Sequence, residues 1–414
     1  MEAREVSRRL YELMRASSVE TAPRMRTWTG EEWGPDDAKA TLVLQHPGAL
    51  GALLLPPSDL TAGEAYVFDD IDIEGDIVAT MRFAADLADT GLLTRLRALR
   101  LARRLPRERR RHETARPRFA GRLHSIGRDR AAVSHHYDTG NEFFGLFLDP
   151  GMVYSCAVFL DPDEPLEVAQ RRKLDLICRK LELRPGDRFL DVGCGWGALV
   201  VHAASEYGVE ATGLTVSAEQ AAEATRRAKE AGVSERVTIV NDDYRNATGT
   251  FEAIASVGMA EHVGLAKLPV YFRHLRSLLA PGGQLLNHAI FTRSRKLHNR
   301  PSFVRTYVFP DGQVHRIEDA ISAAEDAGLE LRDVEALRRN YALTLERWVA
   351  NLESNADKAR QMVGERIYRI WRLYMAGSAV AFERAAIGVS QLLLSDPERP
   401  WRYGRRRLLA TDDV

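Results

Sequence analysis

Between about residues 185 and 290 the sequence alternates short apolar, β-prone runs with helix-length stretches, and this rhythm constrains the fold more than any other feature. The runs at 188–193, 209–214 ("VEATGL"), 236–241 ("RVTIVN"), 252–257 ("EAIASV") and 283–290 read as strands. Strands joined by helix-length connections demand parallel pairing with right-handed crossovers. The prediction is an α/β fold with a doubly wound, mostly parallel sheet. "SAEQAAEATRRAKEAG" (217–232) is a clear helix, with Ser217 as N-cap and a Gln at the third helical position. Residues 291–350 break the rhythm and read as a lid-like insertion over the carboxyl edge of the sheet. "GVSQLLLSD" (388–396) reads as one more strand returning to it.

At 414 residues the chain exceeds one ordinary core, so two domains are expected. The first hundred residues read as a small α+β unit, from the Gly- and Pro-broken runs of 41–57 and the helical end of 63–87. Residues 91–130 are dense in Arg, against the three acids Glu108, Glu113 and Asp129. Through Arg104 Leu is interleaved at helical spacing and Pro106 ends the pattern, which predicts a basic amphipathic helix running into a charged linker. That stretch is either a solvated linker or a contact with anionic lipid head groups, worth about 1 kcal/mol per Arg near a surface. The expected division is 1–105, 106–130 as the linker, and 131–414.

Equal numbers of basic and acidic residues, 58 of each, argue against a uniformly basic nucleic-acid binder. Three cysteines without paired spacing argue against a disulfide scaffold and a zinc site, so no metal is expected. No secretory signal pattern and no run of about 18 apolar residues is visible. The expectation is a cytoplasmic protein that reaches any lipid from the inner membrane surface.

In an open parallel sheet, ligands sit beyond the carboxyl ends of the strands where strand order reverses. "DVGCGWG" (191–197) follows the first strand of the alternation. A glycine loop there can cradle a pyrophosphate at a helix N-terminus. This loop is G-x-G-x-G, without the G-x-G-x-x-G spacing, and Asp191 adds a negative charge. A carboxylate suits a cationic, amino-acid-bearing ligand such as S-adenosylmethionine (SAM) better than a phosphate.

"LDVGCGWGALV", "GLTVSAEQ", "DDYR", "SVGMAEHVG", "YSCAVF" and "HHYDTGNEFFGLFLD" together resemble the cyclopropane-fatty-acyl-phospholipid synthase family, which includes mycolic-acid cyclopropane synthases and related fatty-acid methyltransferases. The resemblance spans residues 60 to 400 or so. It implies a class I SAM-methyltransferase domain preceded by a small α+β lipid-associating domain, a phospholipid substrate in the bilayer and a homodimer. It further implies that Asp191, Gly193 and Gly195 hold the amino-acid part of SAM, with Tyr154 and Ser155 beside them. Thr215 and Gln220 would bind the ribose, and Asp243 and Tyr244 would frame the adenine. Ser217 reads more simply as a helix cap.

An isolated cis alkene is a weak nucleophile, and its attack on a sulfonium methyl leaves a secondary carbocation. The site must therefore be dry yet tolerate positive charge, which aromatic faces do. Tyr137, Phe143, Phe144, Tyr307 and Phe309 are available, with Tyr137 and Tyr307 the expected walls. Closing a ring then needs a base for a proton of the added methyl. The resemblance implies a bound bicarbonate, with Cys156, Glu261, His288, Ile290 and Tyr341 as the matching residues. Donors from His288, Tyr341 and the Ile290 amide would fix the anion, and Glu261 would orient a neighbour.

The sequence departs from the family pattern at Ala260, where an aromatic is common, and at Asn287, where Leu is common. A smaller, more polar site changes how the cation is resolved, and loss of a proton can instead give a methylene branch, precursor of a 10-methyl fatty acid. A lipid-binding protein with a degenerate methyltransferase fold, or a small-molecule methyltransferase, fits the retained motifs less well.

Overall fold

The fold is described by a computed structural model covering residues 2–16, 18, 21–107, 120–129, 139–294 and 302–400. Four short strands, β1 (Arg24–Arg26), β2 (Glu32–Trp33), β3 (Ala40–Leu44) and β4 (Ile71–Gly75), form a sheet in the order β2-β1-β3-β4. β3 buries alternate residues, the signature of a strand with one covered face. The helix Asp59–Val67 starts where Ser58 Oγ accepts the Thr61 amide, and the helix Ile77–Ala88 where Asp76 Oδ1 accepts the Ala79 amide. Each cap is worth about 1 kcal/mol. Part of 41–57 differs from its strand-like reading: Ala49–Leu54 is a helix, as its Ala and Leu content favours.

This sheet belongs to a compact unit made of Met1–Arg118, Arg300–Pro310 and Leu345–Arg384. The structure thus divides the chain differently from the expected boundaries at 105 and 131, because the helix Ala356–Glu383 clusters with the N-terminal residues. Two buried arginines on that helix explain it. Arg372 donates to Tyr66 Oη, to the carbonyls of Ile73 and Gly75, each at 2.9 Å, and to Glu353 at 2.7 Å, while Arg369 donates to the Tyr66 carbonyl at 2.9 Å. A buried guanidinium is tolerated only when its donors are met, and here the end of β4 meets them.

The second unit comprises Phe119–Asn299, Asp311–Thr344 and Ala385–Val414. Its seven strands are β5 (Arg188–Val192), β6 (Glu210–Leu214), β7 (Val237–Val240), β8 (Phe251–Val257), β9 (Leu279–Thr292), β10 (Glu330–Ala336) and β11 (Ile387–Ser395). They run in the order β10-β11-β9-β8-β5-β6-β7. β7, β6, β5, β8 and β9 are parallel, and β11 lies antiparallel between β9 and β10. Strand order reverses beside β5, whose neighbours are β6 on one side and β8 on the other, so the glycine loop sits at the switch point.

The expected insertion at 291–350 is only partly one. Ile317–Glu325 is a helix packed in the core and β10 is the edge strand of the same sheet. β10, "ELRDVEA", escapes a hydrophobicity reading because an edge strand is half solvated and carries charge. One core layer, with Leu190, Tyr271, Phe272, Leu285 and Ala289, covers one face of the sheet, and another, with Ile177, Phe189, Val200 and Leu286, covers the other.

Candidate active site

The parallel strands end together, with Asp191 level with Gly213 and Ala255, and Val257 level with His288. Every group expected to touch cofactor or base beyond these strands therefore leaves from one edge. Gly193, Gly195 and Gly197 all have positive φ, at 82°, 54° and 85°. A Cβ on Gly197 would lie 2.7 Å from Ala224 Cβ, and one on Gly193 would lie 2.5 Å from Met259 Cγ. Those two glycines allow close packing. Gly195 has nothing within 4 Å of that position, so it presents bare backbone to open space.

Asp191 is buried at the base of the loop and its Oδ1 has no hydrogen-bond partner. Burial pushes its pKa up to about 7, opposed by the positive charge of Lys173. Lys173, on the helix Leu166–Lys180, is itself only 2% exposed, and burial pulls its ammonium down to about 8. Its Nζ donates to Ser155 Oγ at 2.9 Å. One turn earlier Gln170 Nε2 donates to the carbonyls of Ser155, at 2.9 Å, and Val153, at 3.2 Å. The helix thus staples the Tyr154–Ser155–Cys156 segment.

The same segment docks on the start of the helix Arg338–Ser354. The Cys156 thiol and the Tyr341 amide both donate to the Leu337 carbonyl, at 3.7 and 3.1 Å, and Thr344 Oγ1 accepts the Ala157 amide at 3.0 Å. Burial raises the pKa of Cys156, so it is a neutral thiol. Tyr154 packs edge-on against Phe144 at 5.4 Å, and Phe144 lies 5.0 Å from Trp196 of the glycine loop.

After β6, Thr215 donates to Gln220 Oε1 at 2.7 Å, which aims the Gln220 amide nitrogen away as a free-standing donor direction. Ser217 Oγ accepts the Gln220 amide, the helix-capping role read from sequence. Asp243 is held on both oxygens by Arg245, at 2.6 and 2.7 Å, and Arg245 continues to Asp129 and the His124 carbonyl. Tyr244 turns into the core, edge-on to Tyr271 at 5.4 Å, and burial pushes its hydroxyl up to about 12. Asp243 and Tyr244 are therefore already engaged within the protein.

The far side of the edge carries the expected base residues. Glu261, on the short helix Ala260–Val263, accepts the Ile290 amide through Oε1 at 2.7 Å, while Oε2 is buried without a partner. Burial pushes its pKa up to about 7. The Ile290 amide, expected to face an anion, is thus paired with Glu261. Two residues back on β9, His288 is buried; its Nδ1 faces Gln391 Nε2 at 3.2 Å and its Nε2 has no partner. With the amide nitrogen donating to Nδ1, the ring carries its proton on Nε2. Burial, and then the charges of Lys173 and Lys180, pull its pKa down to about 3, so it is a neutral donor. Tyr307 lies in the first unit, where its hydroxyl donates to Glu64 at 3.0 Å. Tyr137 lies outside the described residues.

Residues 124–392 match the family described as mycolic acid cyclopropane synthetase. The chain belongs to that family. A probable fatty acid methyltransferase of Pseudomonas putida is 38% identical over 394 residues, covering 91% of this chain and 94% of its own. The cyclopropane-fatty-acyl-phospholipid synthase of Escherichia coli is 37% identical over 260 residues, 63% of this chain and 66% of its own. The solved mycolic acid cyclopropane synthase CmaA1, complexed with SAH and CTAB, superposes with a TM-score of 0.61 at 32% identity, over 64% of this chain and 98% of that one. The sheet is thus the class I fold and the enzyme a SAM-dependent methyltransferase.

The family's cofactor fits what the residues offer. Asp191 keeps a buried carboxylate oxygen without a partner, and Gly195, in the loop that follows it, faces open space. A second pair of buried groups without partners, Glu261 Oε2 and His288 Nε2, offers one acceptor and one donor to a small anion with a hydroxyl. The synthetase-family departures have structural places too. Ala260 lies in the apolar core layer. Asn287, wholly buried, points to the face opposite His288, with Oδ1 3.5 Å from the Tyr271 hydroxyl, which donates to Ser256 at 2.6 Å. Lys173, Gln170 and Gln391 were not anticipated from sequence. The Gln-x-x-Lys spacing on one helix face and a lone Gln in an apolar strand were their only signals.

Proposed function

We propose that the enzyme transfers a one-carbon unit from SAM to the cis double bond of an unsaturated acyl chain of a membrane phospholipid, giving a cyclopropane fatty acid. Bound SAM supplies the electrophilic methyl. Asp191, the glycine loop and Gln220 orient it, and the aromatic cluster of buried Phe144 and Trp196 with half-buried Tyr154 excludes water near it. The observation that carries the reading is a second buried polar pair, Glu261 and His288, at the same sheet edge as the glycine loop. Methyl addition to the alkene leaves a carbocation that must lose a proton from carbon, and a buried acceptor and donor beside the methylated chain suit that step.

That base is proposed to be a bicarbonate ion, held by the His288 Nε2–H and Tyr341 and hydrogen-bonded to Glu261. With a pKa near 7, Glu261 is suited to relay a proton at neutral pH. The Ile290 amide then positions Glu261 rather than the ion.

A methylene branch is the second reading, raised by the sequence departures at Ala260 and Asn287, whose side chains lie in the core layer on the opposite face of the sheet from His288. The substrate is reached from a membrane surface. No helix among the described residues is long and apolar enough to cross one. The helix Leu92–Ala102 instead exposes Leu92 and Leu93, at 71% and 73%, on the side that also carries Arg97 and Arg100. No acid lies between residues 91 and 107, and Arg95, Arg97 and Arg100 form no ion pair among the described residues. Leucines that insert and arginines that meet phosphate fit an anionic bilayer. Incubation of the purified enzyme with SAM and oleoyl phospholipid vesicles, followed by mass spectrometry of the acyl chains, tests the reading.

A further inference from the structure

Lys173 stands out among the buried groups that the reaction above does not use. A buried ammonium is ordinarily excused by an ion pair, yet among the described residues Lys173 has no carboxylate within 4.0 Å. Its hydrogen bond is to a neutral hydroxyl, Ser155 Oγ. The titratable groups that face it come from every element around it: Asp149 from the loop before Tyr154, the neutral Cys156 from the stapled segment, Asp191 from the end of β5, His202 from the helix Ala198–Tyr207 and the neutral His288 from β9. Asp149 is itself satisfied by the amides of Gly151 and Val153. Asp191 is the member left with a buried oxygen and no partner. Taking an ammonium out of water is costly, and one hydrogen bond to a hydroxyl recovers only part of that cost. A lone ammonium kept at this place therefore answers to something other than packing.

We infer that Lys173 is a positioning residue for the proposed reaction: it is the counter-charge that keeps Asp191 ionised for the cationic methionine end of SAM, and through Ser155 it sets the segment carrying Tyr154 and Cys156. The inference rests on the SAM-binding reading. Both arms follow from one atom. Nζ holds the Ser155 hydroxyl directly, and its positive charge opposes the burial that would otherwise protonate Asp191. Lys173 touches no reacting atom in this account. Its effect is on the protonation state and place of groups that do.

The test is calorimetric SAM binding by the full chain, from about pH 6 to about pH 8.5, for the wild type, Lys173→Met and Lys173→Arg. Wild-type affinity falls as pH drops through about 7, where Asp191 takes up a proton. In Lys173→Met that fall moves up by about one pH unit, so that near pH 7 binding is about fivefold weaker, while near pH 8.5 the two proteins converge. Lys173→Arg keeps the wild-type profile. An equal loss at every pH, or a Lys173→Arg profile that follows Lys173→Met, overturns the inference and leaves Lys173 a packing residue. If Lys173→Met does not fold, the ε-carbon resonance of Lys173 in the labelled wild type decides instead. It must move when SAM saturates the protein, and an unmoved resonance overturns the inference. A wild type that binds no SAM at any pH contradicts the underlying reading, a separate outcome.

Discussion

Glu261 accepts the Ile290 amide proton at 2.7 Å through one carboxylate oxygen and keeps the other buried without a partner. The two oxygens therefore have separate jobs. Oε1 locks the carboxylate to the end of β9, and Oε2 is the free face on which proton chemistry depends. Glu261→Gln retains an amide oxygen for Ile290 but loses the proton acceptor. Product formation is expected to fall by at least about 100-fold, the usual worth of a group in an acid–base relay, with SAM affinity within a few-fold of wild type. Full turnover in a single-turnover assay would remove Glu261 from the proton path.

The same burial makes a pH prediction for stability. Burial raises the folded-state pKa of Glu261 from its ordinary value to about 7, against the lowering effect of the Ile290 amide hydrogen bond. Its neutral form is favoured by the fold, so its contribution is complete at low pH and is lost as pH rises through about 7. Glu261→Gln should match the wild type in thermal melting near pH 4.5 and exceed it by a few degrees near pH 8. Equal melting temperatures near pH 8 would mean the carboxylate is hydrated.

The glycines of the loop should separate packing from binding. Gly197→Ala places a methyl 2.7 Å from Ala224 Cβ at φ 85°, and should lower stability by about 2 kcal/mol or more. Gly195→Ala meets no atom within 4 Å and should cost about 1 kcal/mol for its left-handed backbone. Its methyl would enter the open space that the glycine loop faces, so SAM affinity should drop by an order of magnitude or more. Denaturant unfolding and calorimetry on both variants read the two effects.

Membrane attachment should divide between apolar and charged parts of one helix. Exchanging Leu92, Leu93 and Leu96 for Ser is expected to weaken binding to anionic vesicles at every salt concentration. Exchanging Arg95, Arg97 and Arg100 for Gln should remove about 1 kcal/mol per residue at low salt and flatten the salt dependence. Vesicle sedimentation that neither set alters would leave the helix a linker.

Much of this was legible in the sequence because it depends on short-range pattern. The strand at 188–193, the loop behind it and the Ser217 cap follow from apolar runs, glycine and capping chemistry, and each recurs within a residue or so. The division of the chain did not, since it turns on Arg369 and Arg372 reaching carbonyls some three hundred residues earlier in the sequence. Nor did the pairing of Ile290 with Glu261. A backbone amide has no sequence signature, and a candidate donor can be spent on a neighbour that only folding brings near. Asn287 reads from sequence as a neighbour of His288, yet the strand's two-residue alternation sends it to the opposite layer, beside Tyr271. Asp243 reads as a ligand, and its hold on Arg245 on both oxygens has no signature in the sequence.

The most direct test of the central claim uses SAM carrying a trideuterated methyl, purified enzyme and oleoyl phospholipid vesicles, with ozonolysis before mass spectrometry of the acyl chains. The account requires an added carbon that retains two of its three deuteriums, one having left to the base, in a chain that ozone does not cleave. A product that ozone cleaves at a new exocyclic double bond would move the enzyme to the branch-forming reading. An acyl chain that gains no labelled carbon, from an enzyme that binds SAM, would contradict the account.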